Sequence, residues 1–297
     1  VTLGGPDQQG SLPGLDLEEA AELARRHGLQ QVGVRPPLGR YARDVWGKRH
    51  FLLSLSTANF LARHQNNYLG QFWAVLNPLL LAAAYWLIFG VLLRTDRGTE
   101  NYVGFLTIGL FTFMFMSAGF NYAAKALVDQ LSLVRALQFP RALLPISVVL
   151  TELLASLPAF VMLVVIALVT GEPPHWKWLL LPVAIGIVAM TTTGIGLLAA
   201  RFVHGARDLA NLIPLATRML RYISGIFFSV TAYASGLIGD ILQFQPVAVS
   251  LTMVRECLLE EAPLTWSTWA WSAGWAVGLL AIGFVVFWRA EASYGRG

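Results

Sequence analysis

The sequence predicts an all-α membrane protein with six transmembrane helices, an N-terminal amphipathic interface helix and a re-entrant external helical hairpin between helices 5 and 6. Three observations carry that prediction. Of the 297 residues, 56% are hydrophobic and only 13% charged, on the apolar side of what soluble domains of this size use. Uncharged runs recur at about the twenty-residue length that a helix needs to cross a hydrocarbon core roughly 30 Å thick. Basic residues gather in alternate loops, which assigns each loop a side.

The elements follow in order. Residues 1–40 are polar and hold no apolar h-region, so they read as a cytoplasmic extension and not as a cleaved signal. Within them, Asp16 to Arg26 predicts a short surface helix, with Asp16 as N-cap, Glu18 and Glu19 in the first turn and Glu22 placed to pair with Arg26. After the break at Arg35-Pro36-Pro37, the stretch from Lys48 to Arg63 sets Phe51, Leu52, Leu55, Ala58 and Ala62 on one helical face, with Lys48, Arg49 and Arg63 elsewhere. That pattern predicts an amphipathic helix over about 41–66, lying in the headgroup plane and running into the first span.

The remainder, 67–297, predicts a six-helix transmembrane domain with spans at about 72–93, 102–124, 142–170, 178–200, 209–230 and 266–288. Four of these carry no charge; the third contains Glu152, and the fifth contains Arg218 and Arg221. Between the fifth and sixth, residues 233–261 are half apolar yet interrupted by Asp240, Pro246, Arg255 and Glu256, so neither half can span. Two short helices meeting near Gln245-Pro246 and dipping into the external leaflet account for both features, because such backbone survives at depth only under protein or beside a wet cavity. An ordinary amphipathic external loop is the alternative.

Orientation comes from the basic residues. With an even number of spans and the N-terminus inside, fifteen of the 21 Lys and Arg fall in cytoplasmic segments. Four (Arg94, Arg97, Lys177 and Arg255) fall outside, and Arg218 and Arg221 lie within a span. The excess predicts a multi-pass membrane protein with both termini cytoplasmic. Trp266, Trp269, Trp271 and Trp288 bracket the last span as interfacial aromatics do.

Several chemistries are excluded. Cys257 is the single cysteine and the five histidines are scattered, so no metal site is expected. There is no G-x-x-x-x-G-K-[ST] loop to cradle nucleotide phosphates. No D-x-D or D-D pair is present to hold a catalytic metal, nor a G-x-S-x-G nucleophile elbow. The basic excess is not interleaved with aromatics as a nucleic-acid groove requires. The spacing Gly274 to Gly278 is a weak packing signal with no assigned role. The chain therefore reads as a membrane protein with no catalytic residues and no cofactor of its own.

Specific motifs add to composition. The stretch Tyr68-Leu69-Gly70-Gln71-Phe72-Trp73-Ala74-Val75-Leu76-Asn77-Pro78-Leu79, with the pattern L-G-x-x-W-x-x-L-N-P, resembles the start of the first span in ABC-2 type polysaccharide export permeases. The resemblance continues through Phe139-Pro140-Arg141, Leu144-Pro145-Ile146, Arg207-Asp208-Leu209, Ser224-Gly225-Ile226-Phe227-Phe228 and Phe287-Trp288-Arg289, covering about Arg40 to the C-terminus. The family usually has Asn-Pro where this chain has Gln245-Pro246, and the first forty residues have no counterpart in a minimal member. The resemblance implies a homodimer of this permease, two copies of a separate ABC ATPase subunit that holds ATP and Mg, and a lipid-linked polysaccharide (O-antigen, teichoic acid or galactan) passing between the two permease chains.

Candidate site residues follow from charge and aromaticity. Arg218 and Arg221 share a helix face, and an intramembrane cation costs about 2.5 to 3.5 kcal/mol on insertion scales, so it needs a partner or a wet cavity. The expectation is that they attract the pyrophosphate of a polyprenyl-linked glycan, for which the guanidinium fork is suited; a salt bridge with Glu152 or snorkelling to the inner headgroups is the alternative. Phe111, Phe113, Phe115, Tyr122, Tyr222, Phe227 and Phe228 are candidate channel aromatics, since flat faces contact sugar C–H groups without gripping one hydroxyl. Leu127 to Gln138, with Leu127, Asp129, Leu133 and Arg135, is a candidate coupling helix for the ATPase, and Val203 to Asn211, with Arg207 and Asp208, a second contact.

A membrane-embedded glycosyl or prenyl transferase is the alternative function, disfavoured by the lack of paired acids; an ion-coupled carrier is disfavoured by the lack of an internal repeat with broken helices. Eighteen of the 21 basic residues are Arg, with Ala, Gly and Trp frequent, usage of a GC-rich genome of actinobacterial type. Among the family's substrates that points to cell-wall galactan on a polyprenyl pyrophosphate.

Overall fold

The computed structural model describes residue 22 and residues 36–64, 70–94, 99–137, 139–230 and 236–294. Of the predicted helix Asp16–Arg26 only Glu22 falls within them, and the rest of the extension up to Arg35, with Tyr68, Leu69 and Gln138, lies outside the described residues. The unit Pro36–Gly297 holds the bundle. All regular structure among the described residues is helical.

Two helices precede the spans where one was expected. α1 (Leu38–Gly47) follows Pro37, and α2 (Arg49–His64) follows a one-residue break at Lys48. Of the predicted apolar face of α2, Phe51, Leu52 and Leu55 are half-buried, Leu55 against the core. Ser56 is fully buried, its hydroxyl donating to the Ser147 carbonyl at 3.1 Å, whereas Ala58 and Ala62 are exposed. A small polar residue lets α2 approach the neighbouring helix closely.

α3 (Gly70–Tyr85) continues as a π-helical stretch, Trp86–Leu92, and contains Pro78. Proline has no N–H for the helix ladder, and such wide turns are where a helix absorbs irregularity. α4 (Tyr102–Asp129) starts at an Asn101 cap whose side-chain oxygen accepts from the Gly104 N–H at 2.9 Å. α5 (Leu131–Ala136) is a single short helix, and α6 (Leu143–Val169) is the longest uncharged-looking run apart from Glu152. A 3₁₀ stretch, Trp176–Leu180, leads into α7 (Leu181–Gly205); α8 (Leu209–Ile223), α9 (Gly236–Phe244), α10 (Pro246–Leu258) and α11 (Trp266–Arg289) complete the bundle, and a last 3₁₀ turn covers Glu291–Ser293.

Among the described residues, five helices are long and apolar enough to cross a membrane: Val75–Leu92, α4, α6, Trp176–Gly205 and α11. A sixth is counted if α9 and α10, which meet at Gln245 with a bend of 71°, form one broken span. The predicted fifth span, 209–230, is shorter than expected. α8 has 15 residues, about 22 Å at 1.5 Å per residue, short of the roughly 30 Å hydrocarbon core. It stops at Ser224-Gly225, where Gly225 takes φ +70 and a Cβ would meet Val230 Cγ2 at 2.8 Å. The apolar residues beyond, Ile226 and Phe227, are buried core and not lipid-facing helix.

α4 is the most enclosed of the spans and α3 the most exposed. α4 packs against α6, α7, α8 and α10, and α7 packs against α11. The α7–α11 crossing is set by Gly194 and Gly283: a Cβ on Gly194 would lie 2.5 Å from the Leu279 carbonyl carbon, and one on Gly283 would lie 2.5 Å from the Gly194 carbonyl oxygen. Gly274 and Gly278, the sequence's own packing motif, have nothing of this chain within 4 Å. The motif that sets the crossing has one glycine on each helix, which no single-helix pattern displays.

Candidate functional site

α6 runs from one end of the bundle to the other, and its neighbours fix the two ends. At its start, the Tyr41 hydroxyl donates to Glu291 Oε2 at 2.8 Å and accepts from the Ala142 N–H at 3.1 Å. The Arg141 N–H donates to Glu291 Oε1 at 3.0 Å, and Arg141 Nη1 to the Glu291 carbonyl at 2.8 Å. One clamp thus joins α1, the loop before α6 and the turn after α11. Burial raises the Glu291 carboxyl above the usual carboxylate range, against the lowering effect of Arg141 and Tyr41. It raises the Tyr41 phenol as well, helped by the neighbouring Glu291 charge.

At the other end, Asn101 Nδ2 donates to Thr170 at 2.9 Å and to Glu172 at 2.8 Å, while Glu172 also accepts from the Glu260 N–H at 2.7 Å. Lys177 Nζ reaches the Ala262 carbonyl at 2.9 Å, and Glu256 accepts from Trp269 Nε1 at 3.0 Å. These bonds tie the α3–α4, α6–α7 and α10–α11 connections together.

Along α4, three arginines from three elements sit over its aromatic rings. Arg255 lies 3.5 Å from the Phe105 ring centre, Arg221 lies 5.7 Å from that of Phe113, and Arg63 lies 4.7 Å from that of Tyr122. At 1.5 Å per residue the rings are about 12 and 13 Å apart in depth, and at 100° per residue Phe113 and Tyr122 face opposite sides of the helix. Arg221 and Arg63 therefore serve separate surfaces of one chain.

Glu152 is ion-paired with Arg63, whose side chain is 41% exposed, not with Arg218 or Arg221. The alternative in which the fifth-span arginines find their partner in Glu152 is corrected by that pair. Arg218 is exposed and forms no ion pair among the described residues. Arg221 is half-buried; its Nη1 donates to the Tyr85 hydroxyl at 3.3 Å, and its Nε has no partner among the described residues. The turn that follows α8 carries Phe227, stacked on Phe89 at 4.5 Å and edge-on to Tyr85 at 4.7 Å. Three side chains satisfy the carbonyls that α8 leaves open there: Gln245 Nε2 donates to Ile223 at 2.7 Å, Arg255 Nη2 to Ile226 at 3.2 Å, and the Tyr102 hydroxyl to Phe227 at 2.8 Å. Irregular backbone at depth requires this kind of satisfaction.

The predicted channel aromatics separate into two groups. Phe111, Phe113, Phe115 and Phe227 are at most 2% exposed, enclosed by the chain's own helices, so in this conformation they are packing groups and line no open surface. Tyr122 is 49% exposed and Tyr222 52%, and Phe228 is half-buried. In the predicted coupling segment, α4 continues to Asp129, so Leu127 is a buried residue of the span; Asp129 is exposed and Leu133 packs on the core. The Arg135 side chain lies outside the described residues, and Arg207 and Asp208 are exposed in the turn between α7 and α8. Among the described residues no group of His, Cys, Asp and Glu has the arrangement of a metal site, and Cys257 is buried.

Residues 50–259 match the family model of ABC-2 type transporters, more than half of the chain and all but the final span of the bundle. The chain belongs to the ABC-2 type transporter family. Relatives of this ABC-2 chain include the O-antigen export system permease protein RfbA of Myxococcus xanthus, 24% identical over 86% of this chain and 95% of the relative. The protein of the same name from Klebsiella pneumoniae is 27% identical over 70% of this chain and 80% of the relative.

Two features of this ABC-2 chain were missed in the sequence. The Arg63–Glu152 pair joins residues 89 apart; its signal was a lone acid in an apolar run, which needs a cation. The Tyr41–Glu291–Arg141 clamp joins residues up to 250 apart and has no local signature.

Proposed function

We propose that this chain is the transmembrane permease subunit of an ATP-driven ABC exporter that moves a polyprenyl-pyrophosphate-linked polysaccharide, of galactan or O-antigen type, from the cytoplasm across the inner membrane. Family membership over residues 50–259 supports the transporter class, and relatives that carry the name of O-antigen export permeases support the polysaccharide. Two copies form a homodimer and bind two copies of an ATPase subunit, which holds ATP and Mg, since this chain has no phosphate loop. Both termini are cytoplasmic. α1 and α2 lie at the cytoplasmic headgroups, and α9 and α10 re-enter the external leaflet as a hairpin.

The single observation that carries the reading is Arg221: a half-buried guanidinium in an apolar bundle, with a phenol and a ring as neighbours and a free Nε donor. Neither neighbour neutralises it, and a phosphate oxygen does. With Arg218 exposed one turn away, the face of α8 that also presents Tyr222 forms the phosphate-attracting side of a path between the two chains. α3, the most exposed span, forms its other wall. The exposed Asp129, Arg207 and Asp208, with α5, form the ATPase-facing surface.

Depleting the protein in its host tests the substrate. Lipid-linked galactan then accumulates in the cytoplasmic leaflet, scored by its accessibility to a galactan-specific probe in inside-out vesicles. An unchanged distribution contradicts galactan as the cargo.

A further inference from the structure

Arg255 is a cation that the proposed export path does not use. It sits on α10, 6% exposed, at the end of the bundle opposite Tyr41 and Glu291. Its Nε donates to the Phe105 carbonyl at 3.1 Å and its Nη2 to the Ile226 carbonyl at 3.2 Å. It forms no ion pair among the described residues. A guanidinium has five N–H donors, and two carbonyls leave most of that capacity and all of the charge unanswered.

The side chain borders a cavity of about 240 Å³. Thr99, Ser224, Ser229, Gln243 and Thr252 line it as well, interleaved with the apolar Val230, Ala248 and Leu259. One acid, Glu261, stands at its edge, and its Oε2 is already engaged by the Glu100 N–H at 2.6 Å. A fixed cation with hydroxyl and amide groups around a space large enough for several heavy atoms is complementary to an oxyanion. The floor is rigid, because Phe105 lies flat under the guanidinium at 3.5 Å.

We propose that this cavity is an anion site for a phosphate-class group, with Arg255 as the charged ligand and the Gln243 amide as the neutral donor beside it. The same chemistry is offered by the phosphate of a lipid headgroup and by free phosphate or pyrophosphate. Because Arg255 also holds the Ile226 carbonyl, an occupant is linked to the turn that carries Phe227. The inference concerns the permease alone and does not depend on the export reading.

The full chain in phosphatidylcholine nanodiscs, without any ATPase, is titrated with inorganic pyrophosphate by calorimetry. Saturable binding is expected, weakened about tenfold or more in Arg255→Gln, the loss of one charged hydrogen-bonding partner. Since Arg255→Gln also frees two carbonyls, Gln243→Glu serves as the second variant. Gln243 makes no hydrogen bond among the described residues, and a carboxylate there repels an anion, so binding disappears while the melting temperature holds. Nanodiscs of phosphatidylglycerol separate the sources: weaker pyrophosphate binding there, dependent on Arg255, identifies a lipid headgroup as occupant, and unchanged binding identifies the free anion. No saturable binding in phosphatidylcholine, or binding indifferent to Gln243→Glu, overturns the proposal. Failure here leaves the export reading intact, because that reading is tested on the cargo and on Arg221.

Discussion

Arg63, at the end of α2, reaches the carboxylate of Glu152 inside α6 and at the same time covers the ring of Tyr122 on α4, 4.7 Å from its centre. A helix that precedes the spans is thereby pinned to two of them. The buried partner is the acid, whose side chain is 8% exposed against 41% for the arginine. Removing the arginine leaves an uncompensated buried charge, whereas removing both leaves none.

The ordering that follows is specific. Arg63→Ala destabilises by on the order of 2 kcal/mol, below the range for fully buried pairs because the arginine is part-exposed, and the double variant Arg63→Ala/Glu152→Ala recovers part of that loss. Cys257, buried and the sole cysteine, supplies the reporter: its labelling by a thiol-reactive dye on heating gives the melting curve of each variant. Equal loss in the single and double variants would contradict the pair's role.

At the α7–α11 crossing, Gly194→Ala or Gly283→Ala drives a methyl into backbone 2.5 Å away, which costs about 1–3 kcal/mol as overpacking does elsewhere. Gly274→Ala and Gly278→Ala meet nothing within 4 Å and leave the chain's own melting curve unchanged. The same thiol-labelling assay distinguishes the two pairs.

The hydroxyl of Tyr102 is the donor for the Phe227 carbonyl at 2.8 Å. Tyr102→Phe keeps the ring and loses the donor, so a buried carbonyl is left open at a cost of about 1–3 kcal/mol. Hydrogen exchange of the backbone around Phe227 is expected to accelerate in this variant while the exchange of α6 stays as in the parent.

The clamp at the termini carries a pH dependence. Burial raises the Glu291 carboxyl above its ordinary value, so folding favours its protonated form. Its contribution to stability is complete below the unfolded value and is lost as pH rises through the higher folded one. Melting temperature should therefore fall as pH climbs from about 4.5 upward through that raised value. Glu291→Gln, neutral throughout and still able to accept from the Arg141 N–H through its one amide oxygen, flattens this part of the profile. A parallel decline in both proteins would assign the dependence to other groups.

What the sequence made legible follows what hydropathy measures. The runs at 72–93, 102–124, 178–200 and 266–288 were readable because a span needs apolarity whatever its neighbours are. The run 209–230 misled, because Ile226 and Phe227 have the same composition in a lipid-facing helix as in a core turn; the Ser224-Gly225 step was the local signal that α8 ends. The trio Phe111, Phe113 and Phe115 cannot share a seam: Phe111 and Phe115, four residues apart, lie on one face of the helix, and Phe113, about 200° from each, lies on the opposite side. The arginine ladder along α4 was invisible because Arg63, Arg221 and Arg255 come from α2, α8 and α10, and only tertiary packing brings them to one helix. Helix α1 was overlooked although Leu38, Tyr41, Ala42, Val45 and Trp46 recur at the helical period, because it is one short stretch directly after Pro36-Pro37.

Arg221 and Arg218 separate by burial. Arg221→Gln is expected to reduce export about tenfold or more, the loss of a charged hydrogen-bonding partner, and Arg218→Gln to reduce it less, its side chain being solvated. The double variant loses stimulation of ATP hydrolysis by lipid-linked glycan while still assembling with its ATPase. Vesicle export and ATPase assays on the purified complex read both effects, and unimpaired export in the double variant would remove phosphate attraction from the account.

The central claim is that this chain borrows its energy from an ATPase. The most direct measurement is affinity purification of the tagged chain from its own host in mild detergent, followed by identification of stoichiometric partners and a hydrolysis assay. A co-purifying subunit with a G-x-x-x-x-G-K-[ST] loop and vanadate-sensitive ATP hydrolysis is the expected result. Recovery of the chain alone, repeated after gentle crosslinking, would contradict it.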